Sequence, residues 1–162
     1  MKELNKIYNE DCLVGMRDIP DKSIDCIICD LPYGSTSIPW DVVIPFDKLW
    51  EQYDRIAKDN AAIVLFGQGP FSSLLRNSNI DNYKYDIYWE KERLTNINQV
   101  KRRVGKTVET ISVFYKKQCF YNPQMREREK PRVSKNNNTQ QVFGKSQDNF
   151  VGNKLDKKYP IT

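Results

Sequence analysis

The sequence predicts an α/β domain built on a largely parallel sheet with flanking helices. Short apolar runs alternate with amphipathic stretches over the first two thirds of the chain, which is how strands and crossover helices follow one another in such a sheet. One stretch between two runs carries apolar residues at helical spacing. The length, 162 residues, is enough for one sizeable core and too short for two independent catalytic domains.

The elements follow in chain order. A short strand is expected over Lys6 to Asn9, then Asp11 placed to open a helix around Leu13 to Arg17. The run Ile24-Asp25-Cys26-Ile27-Ile28-Cys29 reads as a buried strand, and Ala61 to Phe66 as another. Between them Phe46, Leu49, Trp50, Tyr53 and Ile56 recur at three and four residues, so Pro45 to about Lys58 is expected to be a helix with proline near its first turn. A second helix is expected from Pro70 to about Arg76, and strands over Tyr85 to Trp89 and Thr110 to Tyr115. After Tyr121 the pattern dissolves into a polar stretch with Asn136-Asn137-Asn138-Thr139-Gln140-Gln141 at its centre. Few large apolar groups are available there to offset the entropy of ordering, so residues 122–162 are expected to be a basic, flexible segment beside a folded part at 1–121.

Composition narrows the chemistry. There is no histidine, which removes the commonest general base, the histidine-based hydrolase triads and mixed Cys/His zinc sites. What remains is carboxylates, amines, phenols and backbone. No apolar run approaches the roughly 20 residues that cross a bilayer, and the polar start has no signal-peptide core, so no membrane association is expected. Four cysteines without a secretory segment point to a cytoplasmic protein with reduced thiols. The net charge of +5 is unevenly placed: residues 1–90 hold 9 Lys/Arg against 15 Asp/Glu, and residues 91–162 hold 17 against 6. The second half therefore suits a polyanion, although solvated surface charge has the same composition.

The chemistry centres on Asp30-Leu31-Pro32-Tyr33-Gly34, directly after a strand. Ligands of open α/β sheets gather at the carboxyl ends of strands, so an acid, a proline and an aromatic ring there form a candidate site. The same residues also make an ordinary turn.

With its surroundings this element resembles the amino-methylating DNA methyltransferases, whose signature is an Asp-Pro-Pro-Tyr motif. The resemblance runs from Ile7-Tyr8-Asn9-Glu10-Asp11-Cys12 through the 46–50 helix, Ile63-Val64-Leu65-Phe66-Gly67, Tyr88-Trp89-Glu90-Lys91 and Val113-Phe114-Tyr115 to Tyr121-Asn122-Pro123, in the order of the subgroup whose catalytic motif precedes the cofactor glycine motif. It implies a Rossmann-like S-adenosylmethionine-dependent methyltransferase fold of strand order 3-2-1-4-5-7-6, with the catalytic motif ending the fourth strand and candidates here for strands three to seven. It implies S-adenosylmethionine as cofactor, double-stranded DNA as partner and the N6 amine of adenine as target, the work of a modification enzyme of a restriction-modification system.

An exocyclic amine is a poor nucleophile because its lone pair is delocalised into the ring, so it must be made more tetrahedral and aligned with the methyl donor. By resemblance, the acceptors for its two N–H bonds are the Asp30 carboxylate and the Leu31 main-chain carbonyl, Pro32 fixes the backbone and Tyr33 stacks on a base that has left the duplex. Leu31 stands where the family has its first proline; a leucine still supplies the carbonyl but gives up backbone stiffness. The resemblance also places Asp11 and the Cys12 N–H, with Asp30, against the cofactor, a role compatible with Asp11 capping a helix. For DNA contact it favours Lys101, Arg102, Arg103 and Lys106, with Arg126 and Arg128 beyond, against the alternative of solvated loop charge.

Two further patterns read as structural. Gly67-Gln68-Gly69 is taken as a tight strand-to-helix turn and not a cofactor loop, and Cys26 and Cys29 lie three apart in a strand, on opposite faces. No cysteine follows a proline, unlike in the cytosine-C5 methyltransferases. The Phe-x-Gly-x-Gly loop that grips the methionine part of the cofactor in the resembling subgroup has no counterpart. The expectation is thus an incomplete methyltransferase fold, with the glycine motif supplied by a missing C-terminal half or a second polypeptide. The alternative is an inactive fragment serving at most as a DNA-binding module.

Overall fold

A computed structural model of the chain describes residues 2–127 and 157–160. The chain divides into two compact units, Met1–Phe120 and Tyr121–Thr162. The polar stretch around 136–141 lies outside the described residues.

In the first unit, α1 is a single turn, Cys12–Gly15, capped by Asp11, whose Oδ1 accepts from the backbone N–H of Leu13 at 2.8 Å and of Val14 at 3.1 Å. A 3-10 turn, Met16–Asp18, leads towards β1, Ile24–Asp30. The amphipathic 46–56 stretch forms α2, Phe46–Ile56, and buries Leu49, Trp50, Tyr53 and Ile56 on one side, as the spacing predicts. It stops where Ala57 turns extended to begin β2, Ala57–Gly67, four residues earlier than the apolar run alone marks, because Ala57 already pairs with Ile24. Then come α3, Phe71–Ser78, β3, Tyr83–Glu90, a 3-10 turn at Ile97–Gln99, and β4, Val108–Phe114. In the second unit β5, Met125–Glu127, pairs antiparallel with β6, Lys157–Pro160.

The four-stranded sheet has the order β1-β2-β4-β3, which is the 4-5-7-6 part of the expected sheet. The expectation of a largely parallel sheet holds for strand direction and not for pairing. β1 and β2 are parallel, but β4 inserts between β2 and β3 and runs antiparallel to both, so three strands point one way and only one of the three hydrogen-bonded pairs is parallel. The expected strand at Lys6 to Asn9 does not form, and Ile7 is 97% exposed. A strand needs a partner for its backbone groups, and among the described residues none pairs with the outer edge of β1.

Register settles which residues share a face. Ile27 and Cys29 of β1 lie beside Ile63 and Leu65 of β2, with Ser112 and Phe114 of β4, and this face packs on α2 and α3. Trp50 of α2 meets Phe114 with ring centroids 5.0 Å apart. At the amino end of the sheet the Arg55 guanidinium donates to the carbonyls of Met16 at 2.7 Å and Ile19 at 2.8 Å and pairs with Asp21 at 2.6 Å, which ties the segment before β1 to α2.

Candidate active site

At the carboxyl end of β1 the strand delivers Asp30 to the rim beside Phe66 of β2. The next side chain, Leu31, turns inward and is only 6% exposed, within the main core cluster. Burial of this side chain anchors the turn where a second proline would have stiffened it. No described group donates to the Leu31 carbonyl. Tyr33 then folds back: its hydroxyl donates to Asp30 Oδ1 at 2.6 Å, and its ring lies on Phe71 at 4.8 Å, tilted 30°. Burial and then the Asp30 carboxylate push the Tyr33 phenol up, so it remains a protonated donor. Gly34 follows with φ of 64°, a left-handed conformation that favours glycine, and a Cβ there would meet Val43 Cγ2 at 3.0 Å.

The loop after Gly34 is organised by Asp41, whose role is not apparent from the sequence. Its carboxylate, in a residue only 8% exposed, accepts from the backbone N–H of Gly34 at 2.8 Å, Ser35 at 2.9 Å and Thr36 at 2.7 Å, and from the Thr36 hydroxyl at 2.7 Å. These bonds, the Thr36 hydroxyl foremost, hold its pKa down to about 2. The available signal was a single acid at the end of a Gly-Ser-Thr-Ser stretch of small donors, the composition of a side-chain-closed turn.

On the amino side of β1, Asp11 takes its expected place as the cap of α1. The Cys12 thiol is pushed up by burial first and then by Asp11 and by Cys29. Burial also pushes the Cys29 thiol up, with Tyr53 acting against it. Cys26 is exposed on the opposite face, and no group of three metal-ligating side chains occurs among the described residues.

Facing the motif is the connection from β3 to β4, residues 91–107, held in a narrow arm by Lys91 N–H to the Thr107 carbonyl at 2.7 Å, Thr95 N–H to the Lys106 carbonyl at 2.9 Å and Asn96 Nδ2 to the Val104 carbonyl at 3.0 Å. Between arm and motif lies a cleft of about 1220 Å³, with Tyr33, Thr36, Gln68 and Phe71 on one wall and Arg103 and Lys106 on the other. Of the basic candidates, these two reach the cleft. Lys101 and Arg102 are exposed and do not line it. Arg126 lies in β5 of the second unit, and Arg128 is outside the described residues. The Gly67-Gln68-Gly69 segment is the tight turn expected: a Cβ on Gly67 would come within 2.9 Å of Ser72 Oγ. Gln68 does more than turn the chain, because its side-chain carbonyl accepts from the Lys106 ammonium across the cleft.

The sequence matches no protein-family model and no curated protein. Among solved structures the chain is similar to M1.HpyAVI in complex with S-adenosylmethionine, with a TM-score of 0.53 and 21% identity over 76% of this chain and 62% of that one. It is similar to the PvuII DNA methyltransferase, described as cytosine-N4-specific, with a TM-score of 0.53 and 17% identity over 74% of this chain and 51% of that one. The fold is that of the S-adenosylmethionine-dependent methyltransferases. At this identity the likeness speaks for the fold, and this methyltransferase-fold chain spans about half to three fifths of the length of those two structures. None of the described helices is long and apolar enough to cross a membrane.

Proposed function

We propose that this chain is the catalytic-motif part of a DNA methyltransferase that uses S-adenosylmethionine and acts on the N6 amine of adenine. The observation that carries the reading is the placement of Asp30, Leu31 and Tyr33 together at the carboxyl end of β1, with Tyr33 lining a cleft that also holds Arg103 and Lys106, within a methyltransferase fold. M1.HpyAVI binds S-adenosylmethionine and the PvuII enzyme methylates DNA, which supports the cofactor and partner. Asp in the first motif position is the feature that favours adenine; the PvuII enzyme is cytosine-N4-specific, so cytosine N4 is the competing target.

The residues present fit one wall of a cofactor site. Asp11 commits Oδ1 to its helix cap and Asp30 commits Oδ1 to Tyr33, which leaves the second oxygen of each carboxylate to face a ligand. When bound, S-adenosylmethionine supplies an electrophilic methyl group. Asp30 and the Leu31 carbonyl hold the two amine hydrogens of the target base, which restores lone-pair character to the nitrogen, and the carboxylate is placed to take up the proton that the methylated amine releases. Tyr33, packed on Phe71, offers the base a stacking face that offsets part of the cost of unstacking.

The 122–162 part is assigned to target recognition or linkage, and the glycine motif to a further half or a second polypeptide. The competing reading is a DNA-binding module without catalysis. Asp30→Ala, assayed with a separately expressed glycine-motif half, separates the two. Methyl transfer to adenine is expected to fall at least about a hundredfold with DNA affinity unchanged. Methylation retained by the variant, or N4-methylcytosine as the product, overturns the corresponding part of the assignment.

A further inference from the structure

We propose that Arg103 and Lys106 form a phosphate subsite for the nucleotide whose base the cleft admits at Tyr33. The inference rests on the methyltransferase reading and gives two of the basic residues a task distinct from general attraction to DNA.

Among the described residues the walls of the cleft hold these two cations and no carboxylate. Lys106 is fixed with unusual completeness for a loop lysine. Its N–H donates to Asn96 Oδ1 at 2.8 Å, and its carbonyl accepts from Thr95 N–H at 2.9 Å and from Thr95 Oγ1 at 3.2 Å. Its ammonium reaches across to the side-chain carbonyl of Gln68, a neutral partner. The acid nearest in charge, Glu109, is engaged by Lys91, so Lys106 sits half-buried with no carboxylate in contact among the described residues. Burial lowers its pKa, and Arg103 and Lys91 add like charge, against the attraction of Glu109. An arrangement that desolvates one cation, places a second beside it and keeps acids off the walls gains most from a bound anion.

On the opposite wall the Thr36 hydroxyl is committed to the Asp41 carboxylate, which turns to the amides of its own loop and does not itself line the cleft. Lys101 and Arg102 project into solvent outside the cleft, where charge steers DNA without fixing a nucleotide. The volume exceeds what a single drug-sized ligand pocket requires, about 300–1,000 Å³, so a base at Tyr33 leaves room for its sugar and phosphate.

The experiment is a titration of the full chain with 2′-deoxyadenosine, 2′-deoxyadenosine 5′-monophosphate, a short single-stranded deoxyoligonucleotide and inorganic phosphate, followed by NMR or calorimetry. The monophosphate is expected to bind about tenfold or more tightly than the nucleoside, as one charge-assisted contact implies. Lys106→Met and Arg103→Gln should each erase that advantage with nucleoside affinity unchanged. Lys106→Arg should keep most of it, and Lys101→Gln all of it. The oligonucleotide should show the same dependence on Lys106. Equal affinity for nucleoside and monophosphate overturns the subsite and leaves the base site standing. Dependence on Lys106 for the monophosphate or for inorganic phosphate, but not for the oligonucleotide, overturns its assignment to a nucleic-acid backbone. Monophosphate binding that needs Lys106 yet is indifferent to Tyr33→Ala supports the subsite and overturns the base site beneath it.

Discussion

The two faces of the four-stranded sheet are built from similar residues and meet different surroundings. On the face covered by α2 and α3, Leu65 and Phe114 are fully buried, with Ile63 7% exposed. On the other face Ile28 is 69% exposed, Ile87 44% and Trp89 48%, and only Val113 is buried. An apolar strand residue thus contributes stability in proportion to what packs on it and not to its type. The bare face begins at β1, whose outer edge is also unpaired among the described residues, so missing pairing and missing cover coincide at one strand. The candidate site lies at the carboxyl rim, at the end of that same strand.

The sharpest way to break this comparison is to remove volume from the covered face. Phe114→Ala deletes a ring with 0% exposure that touches Trp50 and Tyr83, and a loss of about 3–5 kcal/mol is expected, a large share of the stability of an ordinary domain. Denaturant unfolding followed by tryptophan fluorescence measures it. A loss below about 1 kcal/mol would show that the helical layer does not carry the core.

What could be read from the sequence, and what could not, follows the same division between local and long-range causes. The 46–56 helix is written in the spacing of Leu49, Trp50, Tyr53 and Ile56, and the position of Asp30 to Tyr33 follows from a strand that ends there, so both were visible without coordinates. The Lys6 to Asn9 strand was misjudged because a strand exists only with a neighbour, which no local pattern reports. The insertion of β4 between β2 and β3 came from the resemblance, whereas its antiparallel direction was not expected, since direction is a matter of topology that the composition of the strand does not carry. At the site, the ties from Asp41 to Gly34, Ser35 and Thr36 and from Gln68 to Lys106 join residues whose types also suit ordinary loops.

A second test asks whether the rim is independent of the core behind it. Asp41 titrates near 2 in the folded chain against an ordinary 3.8, so its hold on the loop is complete above about pH 4 and is lost as the pH falls through about 2. The amide signals of Gly34, Ser35 and Thr36 should shift with that midpoint, and Asp41→Asn should abolish the transition and loosen the loop at neutral pH. Tyr33 is expected to lose its fixed packing on Phe71 in that variant, while the Phe114 core stays intact. A loop that keeps its amide shifts down to pH 1.5, or in the Asp41→Asn chain, would show that something other than this carboxylate organises the rim.

The smallest effect on stability is expected on the bare face, and it is informative because it is small. Ile28→Lys replaces an exposed residue of the unpaired strand, and its change in unfolding free energy should stay within about 0.5 kcal/mol, since no packing is lost. Its effect on association should be larger. An apolar strand with an open edge is a template for other strands, and a lysine on such an edge is a common natural remedy. Sedimentation velocity on the full chain should therefore show less self-association in the variant at equal concentration, with the Phe114 core reporting unchanged stability. A destabilisation of more than about 1 kcal/mol would mean that this face is packed in solution, and the contrast between the two faces would then reflect a cover beyond the described residues and not a surface left open.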